Sequence, residues 1–443
     1  MVLPLVPWPA SVVPLDDVVP PTGEPAERRE TLHTDPHLHP EGYRLRIDAS
    51  GVLIESSTPA GEFYARQTLA QLAAAGPLPG VEIRDEPRFA HRGIMLDVAR
   101  HFHPVPTVEA VIRRASALKL NTLHLHLSDD QGWRLALASH PELTEAGSGT
   151  AVGGDEGGFY TRDDWQRILD AASAHHMTVV PEFDLPGHTH AIGLSHPELV
   201  ADPAPSPHLE GPPPPKDQPY TGIAVGFSSL RADAAGLEPF LRDVLTELAA
   251  LTPGPYLHVG GDEALGTDPA DYRAMVSLIT RLVAETGKTA VAWHEAGVAD
   301  LPRGTIGQYW GYRDGSAPEC AEWVEKTRRF VDNGGRIILS PADAIYLDMK
   351  PHADHPLGLT WANGPTSIER SYDWDPGTVI PGLAEDAILG VEACLWSETV
   401  RTLDDIEQLI LPRIGAAAEA AWSRPAGTPE RTVESFRQRM PGH

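Results

Sequence analysis

The residues best able to do chemistry in this chain gather where short apolar runs end. The run Tyr256–Gly261 stops in Gly260-Gly261-Asp262-Glu263. Others stop in Arg100-His101, in Ser128-Asp129-Asp130, and in Pro181-Glu182-Phe183-Asp184 with His188 close behind. Three more give Trp293-His294-Glu295, Gln308-Tyr309-Trp310 and Trp396-Ser397-Glu398. Carboxylates and tryptophans dominate this set. Carboxylates do acid/base work on an acetal, and a flat indole stacks on the apolar face of a pyranose. Glycosidic hydrolysis therefore fits better than phosphoryl transfer, which calls for lysine, metal ligands and phosphate-binding backbone. The adjacent acids constrain the mechanism further. Neighbours on an extended strand point to opposite faces, so Asp262 and Glu263 cannot flank a sugar as an opposed carboxylate pair does. At a strand end the chain can turn and bring both to one site. Glu263 then protonates the leaving oxygen while Asp262 serves another polar group of the substrate. If that group is a 2-acetamido N–H, the acetamido carbonyl oxygen can act as an internal nucleophile.

The elements that must position these residues follow from the rhythm of the chain. After Pro87, short apolar runs alternate with amphipathic stretches, the pattern of parallel strands joined by crossover helices. Strands are predicted at Gly93–Val98, Thr122–Leu127, Thr178–Phe183, Tyr256–Gly261, Thr289–Trp293, Thr305–Trp310, Arg336–Leu339 and Ile388–Trp396. Helices are predicted at Val108–Leu118, Trp165–His175, Leu237–Leu251 and Asp271–Thr286. Eight such units predict an α/β fold closed as a (β/α)8 TIM barrel. An open doubly wound sheet would carry a glycine-rich phosphate turn after its first strand, and Leu96-Asp97-Val98-Ala99-Arg100 is not one. In a barrel, polar and aromatic groups at the C-terminal strand ends mark the catalytic face. The proline-rich stretch Pro203–Pro219 falls between the third and fourth strands and reads as a rigid loop on that face. Before the barrel, Tyr43–Ile47 alternates like a strand and Val52–Glu55 completes a hairpin. A helix then opens at Pro59, with Phe63, Leu69 and Leu72 on one face, and closes at Gly76-Pro77. Residues 1–40 show little periodicity. The expectation is a reduced N-terminal α/β domain over 1–87 and the catalytic barrel over 88–443.

A formal net charge of −27 argues against nucleic acid and anionic membrane surfaces as partners, and is compatible with a neutral sugar. No apolar run approaches the ~20 residues that span a bilayer. The N-terminus lacks a basic n-region and an unbroken apolar h-region, which predicts a cytoplasmic protein, or a secreted one if the sequence is a processed form. The two cysteines, Cys320 and Cys394, match no zinc or redox spacing and are expected to be free and inert. His124-x-His126 and His188-x-His190 look like metal ligands at first sight. Such histidines more often pack in cores or make hydrogen bonds, so neither metal nor cofactor is expected. Any single tryptophan would by default be core packing; repetition at strand ends is what argues for ligand contact.

Taken in order, several segments resemble the glycoside hydrolase family 20 β-N-acetylhexosaminidases. They are His91-Arg92-Gly93-Ile94-Met95-Leu96-Asp97 through Arg100-His101-Phe102, Leu125-His126-Leu127-Ser128-Asp129-Asp130-Gln131-Gly132-Trp133, and Pro181-Glu182-Phe183-Asp184-Leu185-Pro186-Gly187-His188. His258-Val259-Gly260-Gly261-Asp262-Glu263, Tyr346-Leu347-Asp348-Met349-Lys350 and Leu395-Trp396-Ser397-Glu398 complete the series. The resemblance implies that Glu263 is the general acid/base and that Asp262 orients and stabilises the acetamido group as an oxazolinium-type intermediate forms. It implies that Tyr346 holds the acetamido oxygen and that Asp348 contacts the sugar or its acetamido group. Trp293, Trp310 and Trp396 become aromatic walls, Arg100 and Glu398 grip ring hydroxyls, and Asp129 with His188 forms a relay to Glu263. The implied reaction is release of terminal, non-reducing β-linked GlcNAc or GalNAc with retention, from small neutral amino-sugar glycosides or oligosaccharides. Against the family pattern, the N-terminal domain is expected to keep only its last hairpin and helix.

Three rivals make different predictions. A metal-dependent barrel hydrolase would bring the histidines to one point. A sugar-binding protein without activity would need Asp262 or Glu263 altered. A two-carboxylate β-glycosidase would hydrolyse glucosides as readily as their acetamido analogues.

Overall fold

In the computed structural model, which describes residues 3–15, 30–313, 315, 317–425 and 428–440, five strands form the first sheet. They are β1 (Ser11–Pro14), β2 (Glu30–Thr34), β3 (Tyr43–Asp48), β4 (Gly51–Ser56) and β5 (Val81–Asp85), in the order β1-β5-β3-β4-β2. β3 and β4 are the predicted hairpin, closed where Asp48 faces Gly51. Helix α1 (Pro59–Ala74) starts where Thr58 accepts the Gly61 N–H and where a proline, lacking an N–H, costs nothing. It buries Tyr64, Ala65 and Leu72 in one core with Leu45, Ile47 and Ile54 of the sheet.

The expectation that only this hairpin and helix survive needs correction. β1 pairs antiparallel with β5, and β2 pairs parallel with β4, so residues within 1–40 supply two strands. Both lie at sheet edges, where β2 is exposed at every position and β1 at all but one. An edge strand with no buried face has no apolar alternation to read. The central part of 1–40, residues 16–29, lies outside the described residues.

The barrel follows as predicted. Its strands are β6 (His91–Asp97) and β7 (Thr122–His126), then, after a short ribbon of β8 (Ser128–Asp129) and β9 (Gly132–Trp133), β10 (Thr178–Glu182). β11 (Tyr256–His258), β12 (Thr289–Trp293), β13 (Ile306–Tyr309), β14 (Ile337–Leu339) and β15 (Ile388–Leu395) complete it. Every neighbouring pair is parallel, and β15 pairs with β6 to close the ring. Helices Val105–Ala117, Arg162–Ala174 and Pro269–Glu285 begin two or three residues before their predicted starts. Their first turns carry proline or polar residues ahead of the apolar stripe, and Thr161 and Asp268 cap the last two. Among the described residues no helix is long and apolar enough to cross a membrane.

The interior of the barrel is unusually polar. Glu392 of β15 accepts hydrogen bonds from His91, His124 and Gln308 at 2.8 Å each. Glu182 of β10 meets His126 at 2.6 Å, His258 at 2.8 Å and the Trp293 indole N–H at 3.1 Å. Burial disfavours charge on His124 and His126, but the carboxylates outweigh it and push both rings up to about 10. These bonds tie strand to strand across the barrel, while His124 Nε2, His258 Nε2 and Gln308 Oε1 make no hydrogen bond among the described residues.

The sheet and barrel interlock. Lys119, only 1% exposed, bonds Asp85 of β5 at 2.7 Å and the Tyr43 hydroxyl of β3 at 2.8 Å. Trp422, from the helix Arg413–Trp422, donates to the same Asp85 at 2.9 Å and joins the core of the sheet.

Candidate active site

β11 ends three residues sooner than predicted because its glycines leave the extended region: Gly260 has φ of +68° and Gly261 of +103°. Both positions are left-handed, where a side chain is strained. At Gly260 a Cβ would also stand 1.7 Å from Asp184 Oδ1. Glu263 follows with φ of +45°, an uncommon value for a residue with a Cβ and one found in constrained sites. This turn brings the two adjacent acids against one histidine. Tyr272 braces it by donating to the Gly261 carbonyl at 2.5 Å.

Both acids share one partner. His188 Nε2 lies 3.7 Å from Asp262 Oδ2 and 3.7 Å from Glu263 Oε2. Its Nδ1 lies 3.2 Å from Asp129 Oδ1, giving the line Asp129–His188–Glu263. Asp129 also pairs with Arg100 and with His126 Nε2, each at 2.8 Å, and accepts the Asp130 N–H at 2.6 Å. Burial alone would neutralise Asp129, yet Arg100 and His188 hold it well below the usual carboxylate range. His188 is buried too, and Asp129 and Asp184 keep its ring charged. Glu263 is tuned the other way. Burial raises it, His188 opposes and Asp262 reinforces, and the carboxyl ends at about 7. A group at that value carries a proton to a leaving oxygen and takes one back from water near neutral pH. Asp262 is raised by burial, against the pull of His188.

The walls are aromatic. Trp293, Tyr346 and Trp396 belong to one buried cluster with Met95, Met349 and Cys394, and Trp310 packs against it. Ring centroids are 6.0 Å apart for Trp293 and Trp396, and 6.2 Å for Tyr346 and Trp396. Trp310 is fixed by its indole N–H, 3.1 Å from both Glu295 oxygens. The Arg100 guanidinium lies 4.8 Å from the centre of the Trp396 ring. The loop bearing Tyr346 and Asp348 is pinned by Arg413, which donates to the carbonyls of Leu347 and Met349 at 2.7 Å each.

Several buried polar atoms have no hydrogen-bond partner among the described residues: Asp262 Oδ1, His188 Nε2, both Asp348 oxygens and Glu398 Oε2. Such atoms are costly in a core and ordinary in a site that meets a polar ligand. Burial raises Asp348 and Glu398, with Arg100 pulling Glu398 down.

The structure thus brings Asp129, His188, Asp262, Glu263 and Arg100 into one charged network, beside a cage that includes Trp293, Trp310, Tyr346 and Trp396. Arg100 makes its ion pairs with Asp129 and Asp97, the latter at 3.6 Å, and feels Glu398 only electrostatically. Of the histidine pairs, His124 and His126 are engaged by Glu182 and Glu392, and His190 Nε2 lies 2.8 Å from the Gln218 carbonyl. That contact holds the end of the proline-rich segment against the histidine loop, and Gln131 donates to Gly222, just beyond it, at 2.9 Å. Asp184, His188 and Asp262 also bring ligand atoms within 4.8 Å of one another. Sequence reasoning missed Trp361, 46% exposed, with its ring 6.0 Å from Trp310 and 5.7 Å from Tyr346. A tryptophan inside the polar run Thr360-Trp361-Ala362-Asn363-Gly364 was the available signal. It also missed the supporting parts played by Asp184 and Glu295.

Known proteins agree with this architecture. The model of the glycosyl hydrolase family 20 catalytic domain matches residues 89–273 and 267–425, and that of family 20 domain 2 matches 12–86. A β-N-acetylhexosaminidase of Cellulomonas fimi is 40% identical over 95% of this chain and 81% of its own length. A solved family 20 β-N-acetylglucosaminidase superposes with a TM-score of 0.94 at 50% identity, covering 99% of this chain and 95% of its own. The Streptomyces plicatus N-acetyl-β-hexosaminidase in complex with Thio-NAglucal superposes with a TM-score of 0.88 at 39% identity, covering 99% and 93%. Domain, sheet and carboxylate turn all lead to one assignment: the chain belongs to glycoside hydrolase family 20, as a β-N-acetylhexosaminidase.

Proposed function

We propose that the enzyme removes terminal, non-reducing β-linked GlcNAc or GalNAc with retention, using the substrate's own acetamido group as nucleophile. The observation that carries this reading is the shared turn of Asp262 and Glu263. Two acids placed side by side against one histidine suit two tasks on one side of a sugar, not attack and protonation from opposite faces. Glu263 gives its proton to the glycosidic oxygen as the bond to the anomeric carbon breaks. The acetamido carbonyl oxygen closes on that carbon, and Asp262 holds the N–H and offsets the charge of the oxazolinium. Glu263, now a carboxylate, takes a proton from water as the water opens the ring from the departed side. Tyr346 donates to the acetamido oxygen, Trp293, Trp310 and Trp396 enclose the methyl and the ring face, and Arg100, Asp348 and Glu398 hold hydroxyls. A desolvated cage strengthens each of these interactions. The division into a small α/β domain over 1–87 and a barrel over 88–443 is proposed with it, at the link from β5 to β6.

The test compares a 4-nitrophenyl β-N-acetylglucosaminide with the corresponding β-glucoside, following the anomer released by proton NMR. Turnover of the acetamido sugar alone, with the β-anomer appearing first, supports the proposal. Comparable turnover of the glucoside, or the α-anomer first, overturns it. Glu263→Gln should lower turnover of a poor-leaving-group substrate such as chitobiose by about 10²–10⁴-fold.

A further inference from the structure

Away from the sugar site, His140, Glu142 and His196 bring ligand atoms within 4.8 Å of one another. Glu142 Oε1 is the focus, 3.3 Å from His140 Nδ1 and 3.1 Å from His196 Nε2. Ligands held at ~2.0–2.1 Å around a tetrahedral zinc ion stand ~3.3–3.4 Å apart, so these two edges already have nearly that length. The far side of each ring is oriented as well. His196 Nδ1 meets Ser195 Oγ at 2.9 Å, and His140 Nε2, without a hydrogen bond, faces Asp243 Oδ2 at 3.5 Å. A hydroxyl or carboxylate behind the imidazole is the usual outer partner of a ligating histidine. Both rings pack against Phe240 with centroids 5.0 Å away, which limits their rotation.

The imidazoles are 16% and 11% exposed and the carboxylate 44%, so the fourth position opens to solvent. A hydrogen-bonded His–Glu–His trio explains the two short distances. It does not explain why His140 turns an unbonded nitrogen toward a second carboxylate.

We propose that His140, Glu142 and His196 form a structural site for a divalent transition-metal ion, zinc foremost, with Asp243 and Ser195 as outer partners. The ion ties together two segments of the catalytic face. His140 and Glu142 follow the ribbon that holds Asp129, and His196 lies eight residues beyond His188. Its role is to hold the histidine loop in place, not to touch the reacting sugar.

The experiment uses the full chain, stripped with EDTA and dialysed, then titrated with ZnCl2 by calorimetry and by thermal melting. The expected result is one zinc per chain at micromolar affinity or tighter and a melting temperature several degrees higher. Co2+ in its place should give the intense visible bands of a tetrahedral centre. His196→Ala and the milder Glu142→Gln should each weaken binding at least ten-fold and remove the cobalt bands. Glu142 is half open to solvent, so its substitution keeps the test informative if His196→Ala folds poorly. Absence of stoichiometric binding overturns the proposal. So does binding that survives in both variants, because the ion then sits elsewhere, as at Asp184, His188 and Asp262.

Discussion

Removing the charge of His188 should move the pH profile upward even as it slows the enzyme. Glu263 must be protonated to act as an acid, so kcat/KM falls as pH rises through its pKa, about 7 in the wild type. His188 favours the carboxylate form, so His188→Asn raises the pKa and carries the alkaline limb to higher pH. The separation is 3.7 Å, at which unit charges interact by ~1 kcal/mol in water-like surroundings and by ~4 kcal/mol at an effective dielectric constant of about 20. Those limits correspond to about one and three pH units. Glu263 is 28% exposed, which favours the lower half of the range: an upward shift of about one to two units. The assay must make protonation matter. A nitrophenolate leaves unaided, so kcat/KM should be followed on chitobiose between pH 5 and 10, with circular dichroism to confirm the fold. An alkaline limb that stays put, or moves down, would refute the electrostatic link between His188 and Glu263.

Other consequences follow from the same geometry. Asp262→Asn removes a negative neighbour, so the alkaline limb should move to lower pH, opposite to the His188 variant, while kcat falls by about 10²–10³-fold; parallel pH profiles of the two variants check the signs. Trp361→Ala should raise KM about five-fold, a loss of ~1 kcal/mol, with little change in kcat, and steady-state kinetics on chitobiose distinguish this from a misfolded variant. Gly260→Ala forces a Cβ against Asp184 in a left-handed backbone and should cost roughly 3 kcal/mol of stability; an unchanged melting temperature would contradict the account of the turn.

The barrel was readable because its strands are short apolar runs whose C-terminal ends break pattern. A serine, aspartate or tryptophan there does nothing for a strand, so its presence advertises a site. Asp129, His188, Asp262 and Glu263 were singled out by that logic together with family resemblance. What stayed hidden has physical reasons. β1 and β2 pair through backbone alone at exposed edges, and backbone pairing leaves no trace in side-chain pattern. Glu182, Glu392 and their histidines occupy strand positions that normally read as apolar. Their stability comes from one another, across as many as 301 residues of sequence in the His91–Glu392 contact. Trp361 lies in a loop without periodicity, and only three-dimensional proximity to Trp310 and Tyr346 reveals its relevance. The early end of β11 was implicit in two consecutive glycines, although their torsions were not.

The junction around Lys119 means that the division visible in the sequence is not a line along which the molecule can be cut. A chain begun at residue 88 would keep Lys119 and Trp422 while discarding Asp85 and Tyr43. Burial already lowers the affinity of that lysine for its proton. Deprived of its counter-charge, it would have to lose the proton or draw water into the floor of the barrel, at a cost of ~3–5 kcal/mol. That is a large share of the net stability of a typical protein. The small sheet is therefore less an appendage than the keystone under the end of the barrel opposite the chemistry. Heating should dissolve both parts in a single transition, and exchange of this sheet between related enzymes should succeed only when the lysine and its partners travel together.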